Sequence, residues 1–364
     1  MNLKLISNAM DEFEELKVPY CAVKVYQNHK PVFTDERGDM GDSGKRFFLY
    51  SCSKVMTVTA MMRLIEQGKL GLDDPVYKYL PAYKDAYIIA DGKKETVGDR
   101  MTIRHLFTMS AGLTYDFGTE PVRAARAVPG ASTADIAESF IKTPLTFAPG
   151  DRFQYSLCHD VLGAVATVIT GMSFADFMKE NIFAPLGMKD TSFAFRESEM
   201  AKKYVYRNGS YDPDACANVY ILGSSYHSGG AGVISTLDDF ALFADALASC
   251  EGKDGYPLLK RESADLLRTE QMSKLLKTNN FGCAAGDEFG YGLGVHTLIK
   301  PNAETKAPLG VFGWDGAAGA YIMCDVEHKL SIAFLTHVHS WPSINRDAPF
   351  HRRLRNAVCE AVLG

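Results

Sequence analysis

Residues 47–68 read Phe47-Phe48-Leu49-Tyr50-Ser51-Cys52-Ser53-Lys54-Val55-Met56-Thr57-Val58-Thr59-Ala60-Met61-Met62-Arg63-Leu64-Ile65-Glu66-Gln67-Gly68. The first four are a short apolar run. After them Val55, Val58, Met62 and Ile65 recur at helical spacing until Gly68 stops the pattern, so a helix is expected with Ser51 at its N-terminus. Ser51 and Lys54 are three residues apart and share one helix face, where the lysine amine can reach the serine hydroxyl; Ser53 points elsewhere. A serine hydroxyl is a weak nucleophile until a base takes its proton. A lysine can serve only if burial or positive potential lowers its pKa, and a helix N-terminus supplies such potential. The plainer reading makes Ser51 an N-cap and Lys54 a solvated charge. It explains the serine but not the lysine, because a cation in the first turn opposes the helix dipole by about 0.3–1 kcal/mol.

Outward from this helix, residues 18–38 alternate around Asn28-His29-Lys30, with Cys21, Val23 and Val25 before it and Val32-Phe33 after it, which reads as a β-hairpin. From Asp73 to about Thr170 the signals are mostly helical with Pro/Gly punctuation, as at 102–109, 133–141 and 160–169. The last third turns strand-like at 290–298, 319–324 and 330–335, then helical from Phe350 onward. Strands at both ends around a helical middle predict a sheet domain with an inserted helical domain, divided as 1–72, 73–225 and 226–364.

The 364 residues suffice for about two domains with a core that needs no staples. Hydrophobic residues at 46% and charged ones at 23% exclude a disordered or collagenous chain. Forty-four acids against 39 bases, without a basic block, argue against nucleic acid or an anionic lipid surface as partner. Cys21, Cys52, Cys158, Cys216, Cys250, Cys283, Cys324 and Cys359 show no C-x-x-C spacing and read as reduced, mostly buried thiols. The apolar run 5–10 is too short for a secretory segment, and 161–175 falls short of the roughly 20 residues of a membrane span. A cytoplasmic protein with no membrane contact is expected.

Two further segments can carry chemistry. Tyr155-Ser156-Leu157 follows the turn Ala148-Pro149-Gly150-Asp151 and precedes a helix, so its phenol can project into a cleft and relay a proton, or else simply pack. Gly313-Trp314-Asp315-Gly316-Ala317-Ala318-Gly319 is rich enough in small residues at a strand start to let a ligand approach backbone N–H groups, as in an oxyanion hole; a bulge or a tight lead into a strand would need the same residues. Thr336-His337-Val338-His339 places two imidazoles on one strand face without an evident third ligand, so no metal is assigned. Cys52 reads as a packing residue, and Met56, Met61 and Met62 as core filling.

In this order and spacing the three segments resemble the serine β-lactamase-related superfamily, in the branch holding class C β-lactamases, DD-peptidases and family VIII carboxylesterases. The resemblance runs from about Val18 to Leu335. It extends to Gly71-Leu72-Asp73-Asp74-Pro75, Thr102-Ile103-Arg104-His105-Leu106-Phe107, Ser110-Ala111-Gly112-Leu113, Pro185-Leu186-Gly187-Met188, Gly229-Gly230-Ala231-Gly232 and Tyr291-Gly292-Leu293-Gly294. It implies an α+β fold, an antiparallel sheet flanked by helices with an inserted helical domain and a cleft between them. By position it implies Ser51 as acylated nucleophile, Lys54 as its base, Tyr155 as proton relay, and the backbone N–H groups of Ser51 and Ala317 as oxyanion hole, with no cofactor or metal.

Two departures bear on the substrate. Leu157 stands where β-lactamases of this branch carry an asparagine, removing an amide for an acylamino group. Trp314-Asp315-Gly316 stands where they carry Lys-Thr-Gly, removing the cation that pairs with a carboxylate. The Trp314-x-Gly316 motif is similar to that of family VIII carboxylesterases and implies a substrate-binding segment, in which the aromatic wall of Trp314 suits an uncharged acyl or alkyl group. Asp315 either selects an amine-bearing substrate or faces away on the other side of its strand. The expectation is therefore a serine hydrolase of small esters. Alternatives are a β-lactamase or D-amino-acid peptidase or amidase on the same site, a transferase passing the acyl group to another alcohol, and, outside enzymes, a binding module without chemistry.

Overall fold

Strands from both ends of the chain form a seven-stranded antiparallel sheet. The computed structural model describes residues 1–40, 44–281, 288–340 and 350–364. β1 (Tyr20–Gln27) and β2 (Lys30–Gly38) make the expected hairpin. Asn28 and His29 turn the chain with φ of 49° and 63°, a pair of left-handed residues that matches the twist of the flanking strands. Lys30 thus already belongs to β2 rather than to the connection.

The remaining strands are β3 (Phe289–Tyr291), β4 (His296–Leu298), β5 (Phe312–Asp315), β6 (Tyr321–Asp325) and β7 (Leu330–Thr336). Their order across the sheet is β2-β1-β7-β6-β5-β4-β3. The pattern over 290–298 predicts one strand-like run. It is two strands, because Gly294 at φ 89° reverses the chain and Gly292 N–H closes on Val295 O at 2.8 Å. Likewise the small-residue segment 313–319 is not a strand start: Gly313 to Asp315 lie inside β5, and the residues after them turn into β6.

Both faces of the sheet are covered. Along β7, Leu330, Ile332 and Phe334 point to one face and Ala333 and Leu335 to the other, following the period of two. On the first face lie α1 (Lys4–Glu15), through Ile6, Met10 and Phe13, and the C-terminal helix α5 (Phe350–Leu363), through Phe350, Leu354 and Val358. The spacing i, i+4, i+7 or i+8 gives each helix one apolar stripe. The apolar run near the N-terminus is thus the buried side of α1. Phe13 meets Phe350 edge-on at 4.1 Å and Phe334 at 5.1 Å between ring centres.

On the second face lie α2 (Ser53–Glu66) and α4 (Leu237–Ser249), the latter not expected from the sequence although Thr236 caps it by accepting from Asp239 N–H. α2 is buried on all sides from Ser53 to Met62, the mark of a core helix, and α3 (Cys158–Thr170) packs along it. Between α2 and residue 200 the chain is mostly short helices with one small hairpin. Among the described residues no single helix is long and apolar enough to cross a membrane.

The first-face core makes a direct prediction. Phe334 is fully buried between two aromatic neighbours, so Phe334→Ala is expected to cost about 3–5 kcal/mol, read as a lowered denaturation midpoint.

Candidate active site

Ser51 sits just ahead of α2, in the single turn Tyr50–Cys52 that leads into the helix. The chain arrives there through Tyr50, which holds φ at 45°, a left-handed conformation rare for a bulky side chain. Burial compensates the strain: Tyr50 is 1% exposed, its hydroxyl donates to Ala217 O at 3.3 Å and its ring meets His339 at 4.8 Å. The sharp turn sets Ser51 partly open to solvent at the head of a helix whose next residues are enclosed.

Lys54 lies one turn on, fully buried. Its Nζ donates to Ser51 Oγ at 3.3 Å and to Gly230 O at 2.6 Å, and lies 4.6 Å from the centre of the Tyr155 ring. Burial lowers its pKa from the usual lysine value to about 8, although Asp160 and the nearby cysteines pull it upward. Roughly a tenth of the amine is therefore uncharged at pH 7, and about half at pH 8.

Tyr155 is placed by the segment ahead of α3. Gln154 N–H donates to Met109 O at 2.8 Å, and Asn280 brackets Phe153, accepting from its N–H at 2.8 Å and donating to its carbonyl at 3.0 Å. The Tyr155 ring stacks on Trp314 at 5.6 Å, and Trp314 Nε1 donates to the Tyr155 hydroxyl at 3.0 Å. Burial raises the phenol above its ordinary pKa, while the hydrogen bonds of Ser51 and Trp314 oppose the rise. Tyr155 therefore stays protonated at neutral pH and can hand a proton on rather than hold a charge.

Trp314 comes from β5 on the second face of the sheet. Asp315, the next residue, points to the first face, where it accepts from His351 Nδ1 of α5 at 2.6 Å. Of its two orientations the structure has the one that faces away from Ser51. Gly316 follows with its α-hydrogen against Leu49: a Cβ there would lie 2.4 Å from Leu49 O. Only glycine lets the turn after β5 approach the chain leading into Ser51. In that turn Gly316 N–H donates to Ala320 O at 2.7 Å and Gly319 N–H to Gly316 O at 2.9 Å, leaving the exposed Ala317 amide outside both bonds. The structure thus brings together Ser51, Lys54, Tyr155, Trp314 and the Gly316-Ala317 turn. Leu157 is not at their surface: it is 3% exposed, within the core that surrounds α2.

Residues the sequence did not single out complete the setting. Tyr115 lies 5.8 Å from Tyr155 and 5.5 Å from Tyr220, and Phe117 is 5.7 Å from Tyr220, extending the aromatic wall away from Trp314. Behind Lys54, Asp160 accepts from Tyr226 OH at 2.7 Å and from Ser228 Oγ at 2.6 Å. Thr57 Oγ1 donates to Gly229 O at 2.7 Å. A doublet of glycines signalled that turn, but nothing in it signalled that a carbonyl would grip the lysine.

The side features read otherwise. Cys52 is enclosed, donates its thiol to Trp314 O at 3.4 Å, and is pushed well above the ordinary thiol pKa by burial. Cys21, Cys158, Cys324 and Cys359 are likewise buried unpaired thiols, Cys216 and Cys250 are half-buried ones, and Cys283 lies outside the described residues. His337 interacts with Ala201 O at 3.0 Å and His339 packs on Tyr50; among the described residues no group of three ligating side chains could hold a metal ion.

A family model described as Beta-lactamase matches residues 4–357. The chain is 29% identical to protein Rv1367c of Mycobacterium tuberculosis over 89% of its own length and 86% of that protein. It is 30% identical to esterase EstB of Burkholderia gladioli over 80% of this chain and 77% of that one. Among solved structures, EstCE1, a hydrolase with promiscuous acyltransferase activity, superposes with a TM-score of 0.78 at 23% identity over 98% of both chains.

The lysine's enclosure is testable at Gly230. A Cβ there would lie 2.5 Å from Asp160 Oδ2 and 3.4 Å from Lys54 Nζ. Gly230→Ala is expected to cost about 1–3 kcal/mol in a denaturation experiment, as for other overpacked sites.

Proposed function

The chain belongs to the Beta-lactamase family and is a serine hydrolase, and from that premise we propose that it hydrolyses small uncharged esters through an acyl-enzyme on Ser51. The observation that carries this reading is the fully buried Lys54 amine, 3.3 Å from Ser51 Oγ with its pKa lowered to about 8.

In the first step the Ser51 oxygen forms a bond to the ester carbonyl carbon as its proton passes to Lys54. The oxyanion sits against the amides of Ser51 and Ala317. The alkoxide leaves with a proton delivered through Tyr155, whose hydroxyl Trp314 Nε1 holds in place. In the second step water attacks the acyl carbon, gives its proton to the same pair and releases Ser51. No step calls for a metal.

Esters are favoured over β-lactams and D-peptides by what stands at β5. Where a carboxylate-binding cation would be needed, the strand presents Trp314, and its only charged residue, Asp315, is engaged by α5 on the other face. Tyr115, Phe117, Tyr155, Tyr220 and Trp314 give an acyl or alkyl group apolar faces to lie against. The esterase name of the Burkholderia gladioli relative points the same way. Acyl transfer to an alcohol other than water uses the same acyl-enzyme, and EstCE1 is a hydrolase that also has acyltransferase activity.

A fluorophosphonate probe tests the nucleophile without knowledge of the substrate. Peptide mapping is expected to find the adduct on Ser51 and to find none in Ser51→Ala, which should still fold; a folded wild-type protein that takes no adduct contradicts the reading and favours a binding module. Ester turnover should exceed nitrocefin turnover, and comparable rates would move the assignment to a β-lactamase. Because Lys54 accepts a proton only as the free amine, the rate should rise as pH increases through about 8.

A further inference from the structure

We propose that Asp160 is a positioning residue for this reaction: through Ser228 and Tyr226 it fixes the Gly229-Gly230 turn that grips Lys54, and its carboxylate supplies the negative charge that the buried amine faces. The inference rests on the reading of Ser51 and Lys54 given above and adds to it a residue that touches neither substrate nor Ser51.

Asp160 is 1% exposed in the first turn of α3, five residues after Tyr155. A carboxylate in such a place needs partners to offset the loss of water. Oδ1 has two, the Tyr226 hydroxyl at 2.7 Å and Ser228 Oγ at 2.6 Å. Ser228 Oγ also accepts from Ala231 N–H at 3.0 Å, and Ser228 O accepts from Gly232 N–H at 2.9 Å, so the side chain Asp160 holds is the one that closes the turn. At the tip of that turn Gly230 O takes the Lys54 amine at 2.6 Å. Oδ2 points toward the same glycine, whose missing Cβ would lie 2.5 Å from Oδ2 and 3.4 Å from Lys54 Nζ. The carboxylate and the amine therefore flank one glycine α-carbon. The missing side chain leaves the two groups facing each other across that α-carbon, in space that a Cβ would occupy.

The titratable groups facing Lys54 are Cys52 on its own turn, Cys158, His159 and Asp160 on α3, and Tyr115 and Tyr155 from the adjoining loops. The two thiols and the two phenols are held above their usual pKa by burial, and His159 is pushed down to about 3 by burial and by Lys54, so these five are neutral at working pH. Asp160 is the one carboxylate among the groups named. Burial raises its own pKa, and Ser228 and Tyr226 act against that rise. The two hydroxyls thus do two things at once: they favour the carboxylate form against the effect of burial, and they register the turn.

The test uses the rate of Ser51 phosphonylation as a function of pH, measured on wild type, Asp160→Asn and Ser228→Ala, with thermal melts to show that each folds. Asp160→Asn keeps the shape and an acceptor oxygen but removes the charge. Lys54 then loses a stabilising anion, and the acid limb of the profile is expected to move down by about one pH unit. Ser228→Ala leaves Asp160 its Tyr226 partner but loosens the turn, and the high-pH plateau is expected to fall about tenfold or more. A purely structural role for Asp160 would lower stability without moving the limb. An unmoved limb in folded Asp160→Asn overturns the electrostatic role, and an unchanged plateau in Ser228→Ala overturns the positional one; the latter decides alone if the amide variant does not fold. If wild type takes no adduct on Ser51 at any pH, the Ser51–Lys54 reading falls and this inference falls with it.

Discussion

An amine with no exposed surface is the constraint around which this site is built. A lysine buried as an ammonium loses its hydration, a cost of several kcal/mol even after the protein relaxes, and a lysine buried neutral has lost part of its donor capacity. Lys54 is held between these limits. Gly230 O at 2.6 Å and Ser51 Oγ at 3.3 Å receive its protons, the Tyr155 ring lies under it, and Asp160 stands nearby, so neither form is strongly excluded. That balance is what a base needs if it is to take a proton and return it.

The glycines and the strained tyrosine follow from the same requirement. To enclose Lys54 yet leave Ser51 open, the chain must turn sharply at Tyr50 and let two other segments approach its backbone closely, the turn at Gly230 behind the amine and the turn at Gly316 in front of the serine. The strand carrying Trp314 is two-sided in consequence. Its inner residue holds the Tyr155 hydroxyl, and its outer residue, Asp315, is tied to His351 on α5, whose ring stacks on Tyr321 at 4.5 Å. The helical layer behind the sheet is thereby fastened to the strand that borders the site.

What could be read in the sequence was what local periodicity and side-chain chemistry encode. The helix after Ser51, the first hairpin, strands β6 and β7 and the C-terminal helix announce themselves through period and punctuation, and Ser51, Lys54, Tyr155 and Trp314 through their types and order. What could not be read depends on groups without a sequence signature. The acceptor for Lys54 is a backbone carbonyl far along the chain, and the anchor of Tyr155 is Asn280, an ordinary polar residue of a loop. The orientation of Asp315 follows from strand parity, which the small residues of 313–319 leave open because they do not mark where β5 begins. The run 290–298 conceals a hairpin because glycine at φ 89° reverses a chain without interrupting its apolar pattern.

The most direct test of this account is the titration of Lys54 itself, followed by carbon NMR of the ε-methylene in protein labelled at lysine and assigned with Lys54→Arg. The account predicts one lysine with a midpoint near 8, well apart from the solvent-exposed population. A Lys54 that titrates with the others, at or above the ordinary lysine value, would show that the amine stays charged beside Ser51 and would contradict its role as the base.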